Sequence, residues 1–124
     1  MFTNGGDEMS NFSINVRESN NVMIIDLSGE IETFAISQLK EDMEKIIKSK
    51  KNLILLNLSN VIRFNSTALG ILIGRLRRVR VTGGDIKICN VTAPIKKVFD
   101  LMGVSRVFEI YSTEKEALEG MKTS

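Results

Sequence analysis

Ser66 and Thr67 stand side by side in VIRFNSTALGILIG, residues 61–74, where a short apolar stretch ends and a long helical periodicity begins. A hydroxyl at such a junction has two uses. It can accept a hydrogen bond from the first free N–H groups of the helix, or it can receive a phosphoryl group from a kinase. The register of the helix start separates the two. With Asn65 as the N-cap, its side chain serves the free N–H groups, and Phe64 and Leu69 fall at the two positions of a hydrophobic staple. With Ser66 as the cap, Asn65 takes the preceding position and the staple is lost. The first register is preferred, and it leaves Ser66 in the first helical turn with an unspent hydroxyl. A phosphoserine there carries about −1.5 to −2 charges near neutral pH and faces the positive end of the helix dipole, which tolerates it. The same charge inside a partner interface opposes binding.

Other chemistry is narrowly bounded. The chain of 124 residues contains no histidine, which removes Ser-His and Cys-His catalysis and imidazole metal sites. A single cysteine, Cys89, excludes an internal disulfide and suits a reducing cytoplasm. Set in the alternating stretch DIKIC, it reads as an unreactive core thiol. Asp26, Glu30 and Glu32 cluster in sequence without matching ligands, so they read as a solvated or partner-facing loop. RLRRVR at 75–80 places Arg75, Arg77, Arg78 and Arg80 in the last turns of a helix, where cations favour the C-terminus. Seventeen basic against fifteen acidic side chains give only +2, too little to imply nucleic acid. No apolar run approaches the ~18 residues of a membrane span, and the N-terminus lacks a signal-peptide pattern. The expectation is a cytoplasmic protein with no membrane, nucleic-acid or cofactor partner.

The elements that must position the Ser66 junction follow from periodicity. Phe12, Ile14 and Val16 alternate with polar residues as a half-buried strand, ESNN at 18–21 is turn chemistry, and VMIIDL at 22–27 is a second strand. SGEIET then reads as a loop. Ile36, Leu39, Met43, Ile46 and Ile47 mark an amphipathic helix over 34–49, and NLILLNL at 52–58 is a strand covered on both faces. Leu69, Leu72, Ile73, Leu76 and Val79 mark the helix after the junction, which stops at Gly83-Gly84. DIKIC at 85–89 is a strand, and Thr92-Ala93-Pro94 opens a short helix with Ile95, Val98, Phe99 and Met102 on one face, closed by Gly103. VFEIY at 107–111 is the last strand, and Thr113 with Glu116 forms a capping box for a final helix over 114–121. The order β-β-α-β-α-β-α-β-α implies a single α/β domain over 11–122, its mixed sheet opened by an antiparallel hairpin. Residues 1–10 are expected to be a flexible tail.

With these residues in view, the chain resembles the STAS family, specifically its stand-alone anti-sigma-factor antagonists. VIRFNSTALGILIGRLRRVRVTGGDIKICNV resembles the family motif apolar-x-Phe-x-Asp-Ser-Ser/Thr-Gly-Leu-Gly with its following helix, Gly-Gly turn and strand. LSGEIET at 27–33, LILLNLSNV at 53–61 and VFEIYSTEKEAL at 107–118 are similar to three further family stretches, so the likeness runs over residues 12–120. The resemblance implies a non-enzymatic binding switch. The unphosphorylated form binds an anti-sigma factor of serine-kinase type, phosphorylation by that kinase releases it, and a PP2C-type phosphatase resets it. By position Ser66 matches the phosphoacceptor. Gly29, Glu30, Ile31 and Glu32 match a loop near it on the partner-binding face, which also takes in Asn65, Ser66, Thr67, Ala68 and Gly70. Asn65, Ala68, Glu32 and Asn57 stand where the family usually has Asp, Gly, Asp and Asp. Two other readings are distinguishable by experiment. One is a STAS scaffold or regulatory subunit of a signalling or transport complex that works without phosphorylation. The other is a nucleic-acid-binding protein dependent on the four arginines.

Overall fold

Two asparagines in left-handed backbone, Asn20 (φ 50°) and Asn21 (φ 68°), return the first strand onto the second. Asparagine tolerates this region better than most residues, and a two-residue turn with both φ positive matches the twist of a hairpin. The computed structural model describes residues 11–121. In it, β1 (Phe12–Ser19) pairs antiparallel with β2 (Val22–Ile31), from Phe12 opposite Gly29 to Ser19 opposite Val22. The expected tail at 1–10 lies outside the described residues.

After the hairpin the chain alternates helix and strand. It runs through α1 (Thr33–Lys48), β3 (Leu53–Phe64), α2 (Ser66–Val81), β4 (Asp85–Cys89), α3 (Ala93–Leu101), a single 3₁₀ turn at Val104–Arg106, β5 (Ile110–Tyr111) and α4 (Glu114–Gly120). The five strands lie side by side in chain order, with every pair after the hairpin parallel. This is the mixed sheet that the element order implies.

Alternation along each strand divides the core in two. Met23, Ile25, Leu27, Ile54, Leu56, Ile86 and Ile88 face one way and pack with Leu39, Met43, Leu72, Leu76, Ile95 and Phe99 of α1, α2 and α3. Val22, Ile24, Leu55 and Cys89 face the other way, where Ala117 and Met121 cover them at the α4 end of the chain. Each fully buried large apolar side chain contributes about 1.5–3 kcal/mol. Most of the stability therefore lies on the three-helix face. Cys89 is buried, and desolvation pushes its thiol up to about 12, so it is the unreactive thiol the sequence implies.

The structure corrects four sequence readings. β2 continues through most of the stretch read as a loop, because register shifts between Asp26 and Ser28 and between Gly29 and Glu30 let it pair on to Ile31. β3 likewise continues past Leu58 to Phe64. The last strand shrinks to two residues, since the 3₁₀ turn draws Phe108 into the core and its N–H donates to the Val104 carbonyl at 2.9 Å. On α3 only Ile95 and Phe99 are buried, whereas Val98 and Met102 remain 39% and 45% exposed.

Candidate functional site

The extensions of β2 and β3 are what build the site. Their parallel pairing sets Gly29 opposite Val61, Glu30 opposite Arg63 and Ile31 opposite Phe64, and the Asn65 N–H donates to the Ile31 carbonyl at 3.5 Å. The 29–32 segment and the 65–70 segment thus become neighbours through the sheet ladder. Gly29 is required by that geometry. It sits at φ 82°, and a Cβ there would lie 1.9 Å from the Asn11 carbonyl oxygen. The neighbouring Glu30 N–H donates to this same carbonyl at 2.7 Å.

At the start of α2, Asn65 is the N-cap, and its Oδ1 accepts from the Ala68 N–H at 3.0 Å. Phe64 and Leu69 are both buried in the same cluster, as the staple register requires. Phe64 also meets Phe99 edge-on, ring centroids 5.5 Å apart, which fixes the end of β3 against α3. Ser66 and Thr67 are exposed, and neither hydroxyl bonds to another described residue. The first turn of α2 contains no acidic side chain, so no carboxylate of the helix itself offsets its free N–H groups and dipole.

The sequence-matched residues do not all reach this surface. Ile31 and Ala68 are fully buried, so the Ala68 methyl points into the core and not towards a partner. Gly70 faces open space, with nothing within 4 Å of a Cβ placed on it. Glu30 and Glu32 both face Arg63, at 3.7 and 3.9 Å, distances too long for hydrogen bonds.

Beside Asn65 lies a shallow depression of about 320 Å³ whose lining includes Ile62, Pro94, Ile95 and Val98. Ile62 is 68% exposed there, and Leu101 of α3 is 83% exposed. Sequence reasoning missed this apolar surface. Ile62 lies beyond the expected strand end, and Val98 is apolar at core spacing, so only the placement of α3 shows that both face out.

The other charged clusters are internally paired. Arg75 and Arg78 meet Glu44 at 3.7 and 2.6 Å, and Arg80 meets Asp85 at 3.2 Å, so three of the four α2 arginines have protein carboxylates. Among the described residues no group of three or more His, Cys, Asp or Glu is placed to hold a metal. No described helix is long and apolar enough to cross a membrane.

A STAS domain family model matches residues 13–117. The chain belongs to the STAS family. Within it, this STAS domain is 28% identical over 109 residues to the anti-sigma F factor antagonist of Paenibacillus polymyxa, covering 87% of this chain and 93% of the relative. Its fold is similar to that of an anti-sigma factor antagonist from Mycobacterium paratuberculosis, with a TM-score of 0.81 at 20% identity over 90% of this chain and 95% of that one. It is also similar to the Bacillus antagonist SpoIIAA. The unphosphorylated form superposes with a TM-score of 0.75 at 22% identity, over 89% of this chain and 99% of that one. The phosphorylated form gives 0.70 at 22% identity, over 88% and 99%.

Proposed function

We propose that this STAS domain is an anti-sigma-factor antagonist whose binding is switched by phosphorylation of Ser66. In this reading it acts by binding and not by catalysis, in the cytoplasm, on an anti-sigma factor that is also a serine kinase. The observation that carries it is the exposed, unbonded Ser66 hydroxyl at the start of α2, with Asn65 already satisfying the cap. A phosphoryl group at Ser66 is tolerated by the fold through the free N–H groups and dipole of α2. The same group lies next to the Ile62–Val98 depression, the apolar surface available to a partner. There its charge must be desolvated on binding, so the modified protein lets go. A PP2C-type phosphatase would restore the hydroxyl.

Similarity to the Paenibacillus anti-sigma F factor antagonist supports the antagonist part of this reading. Asn65 carries no carboxylate beside the acceptor, so the kinase must recognise the site without one. Incubation with ATP and a candidate anti-sigma kinase, followed by peptide mass spectrometry, is expected to place one phosphoryl group on Ser66 and none on Ser66→Ala. A stable complex with a partner that neither modifies Ser66 nor responds to Ser66→Asp would instead establish the scaffold.

A further inference from the structure

The far edge of the sheet carries a second surface. β5 is the terminal strand, and the N–H groups of Ile88 and Asn90 donate to the carbonyls of Glu109 and Tyr111 at 3.0 and 3.2 Å. Backbone polar groups alternate sides along a strand, so the N–H and C=O of Ile110 point away from β4. A groove of about 680 Å³ follows this open side, lined continuously by residues 105–112. Apolar groups of Val91, Val107 and Ile110 contribute to its lining, and Arg80, Lys96 and Arg106 stand along it against one lining carboxylate, Glu109.

The carboxylates that balance these cations lie to the side. Arg80 pairs with Asp85, Lys96 with Asp100 at 3.0 Å, and Glu109 is taken up by the buried Lys87 at 2.8 Å. Arg106 has no carboxylate partner among the described residues. Arg80 also reaches the Val107 carbonyl at 3.4 Å, which holds its guanidinium beside the groove.

An open backbone edge, a few apolar side chains and a rim of three cations against one carboxylate together select one kind of occupant. We propose that the β5 groove receives an extended acidic peptide, which adds to the sheet through Ile110 and places its carboxylates against Arg106, Lys96 and Arg80. Main-chain bonds at a sheet edge give such a peptide its affinity, and alternate side chains read the walls. The small number of open groups on so short a strand keeps the affinity modest. The groove shares no lining residue with the depression beside Asn65, and α3 lies between them, with Lys96 on the groove and Ile95 and Val98 on the depression.

The test uses the full chain and a fluorescein-labelled seven-residue peptide of alternating Glu and Val. Two controls are a Lys-Val version and a Glu-Val version with proline at its centre. The Glu-Val peptide is expected to bind saturably below about 1 mM, to slow amide exchange at Ile110, and to shift the amide resonances of residues 105–112. Both control peptides should fail. Arg106→Glu is expected to weaken binding about fivefold. Ile110→Pro removes the outward N–H while leaving the bonds that Ile88 and Asn90 of the neighbouring chain segment donate to Glu109 and Tyr111, and should abolish binding with the circular dichroism unchanged; if it unfolds the chain, the Arg106→Glu and control-peptide results decide alone. Absence of saturable binding overturns the proposal, as does equal binding of the proline peptide. Perturbation of residues 105–112 by single-stranded DNA but not by the acidic peptide would also overturn it, and would assign the groove to nucleic acid.

Discussion

Two polar regions of this domain lie a few residues apart in sequence and behave in opposite ways. On the α4 side of the sheet a row of polar side chains crosses the strands. Arg17 donates to Asp26 at 2.7 and 3.0 Å and also pairs with Glu114. Asn57 donates to Asp26 at 2.8 Å, and Asn90 donates to Asn57 at 3.1 Å. The register sets Asn15, Asp26, Asn57 and Cys89 in one line across four strands. Burial acts to raise the Asp26 carboxyl, but the Arg17 and Asn57 bonds prevail and hold it below its usual range. At the Ser66 rim, by contrast, Arg63 lies 3.7 and 3.9 Å from two carboxylates, Ser66 and Thr67 bond to nothing described, and Ile62 is exposed. Polar groups that satisfy one another hold the sheet together. Those left open are available to a partner or a modifying enzyme.

The comparison breaks first at Asn57. Asn57→Asp replaces a donated hydrogen bond with a second carboxylate facing Asp26, and is expected to cost about 2–3 kcal/mol at pH 7 in urea denaturation. The wild type should itself lose stability as pH falls below about 4. The Asp26 carboxyl is depressed in the folded state, so the stability it contributes is present above its unfolded value and lost on protonation. In the variant, protonation of the facing pair relieves repulsion, so its deficit should narrow at low pH. An unchanged deficit at pH 3 would show that the row is not held by charge.

Asn65→Ala comes next, at about 1 kcal/mol, because the Ala68 N–H loses its acceptor. Gly70→Ala should act in the opposite direction, gaining about 0.5–1 kcal/mol, since a methyl there meets nothing and alanine is the better helix former. Partner binding weakened by this stabilising change would place Gly70 inside the interface. Arg63→Ala is the smallest effect, under about 0.5 kcal/mol, because exposed ion pairs at this distance contribute little. A larger loss would mean that the rim is as internally committed as the Asp26 row.

The cap at Asn65 was legible in the sequence because it rests on local rules. A capping residue flanked by staple positions reports the helix start with little need for tertiary context. Thr113 was legible for the same reason, and its Oγ1 accepts from the Glu116 N–H at 3.1 Å. The alternation of β1, β2 and β4 and the stripes of α1 and α2 were equally plain, and with them the mixed sheet. What escaped depends on register. The run from Ser28 to Ile31 breaks alternation at two bulges, so a paired strand reads as a loop. The Asp26–Asn57 contact joins residues 31 apart and exists only once β2 and β3 are aligned. The apolar spacing of α3 is genuine, yet a nine-residue helix with two buried residues leaves Val98 and Met102 outside. Half of the candidate surface was therefore visible as a motif, and the other half emerged only when α3 and the end of β3 were placed side by side.

The central claim is that a charge on Ser66 changes binding without changing the fold. The direct measurement is the calorimetric affinity of the partner anti-sigma kinase for the unmodified and the Ser66-phosphorylated protein, with thermal melting of both forms. The account predicts at least about a hundredfold weaker binding, roughly 2.7 kcal/mol, for the phosphorylated form, and a melting temperature that stays the same or rises. Equal affinities for the two forms would contradict it, and so would a loss of affinity accompanied by unfolding.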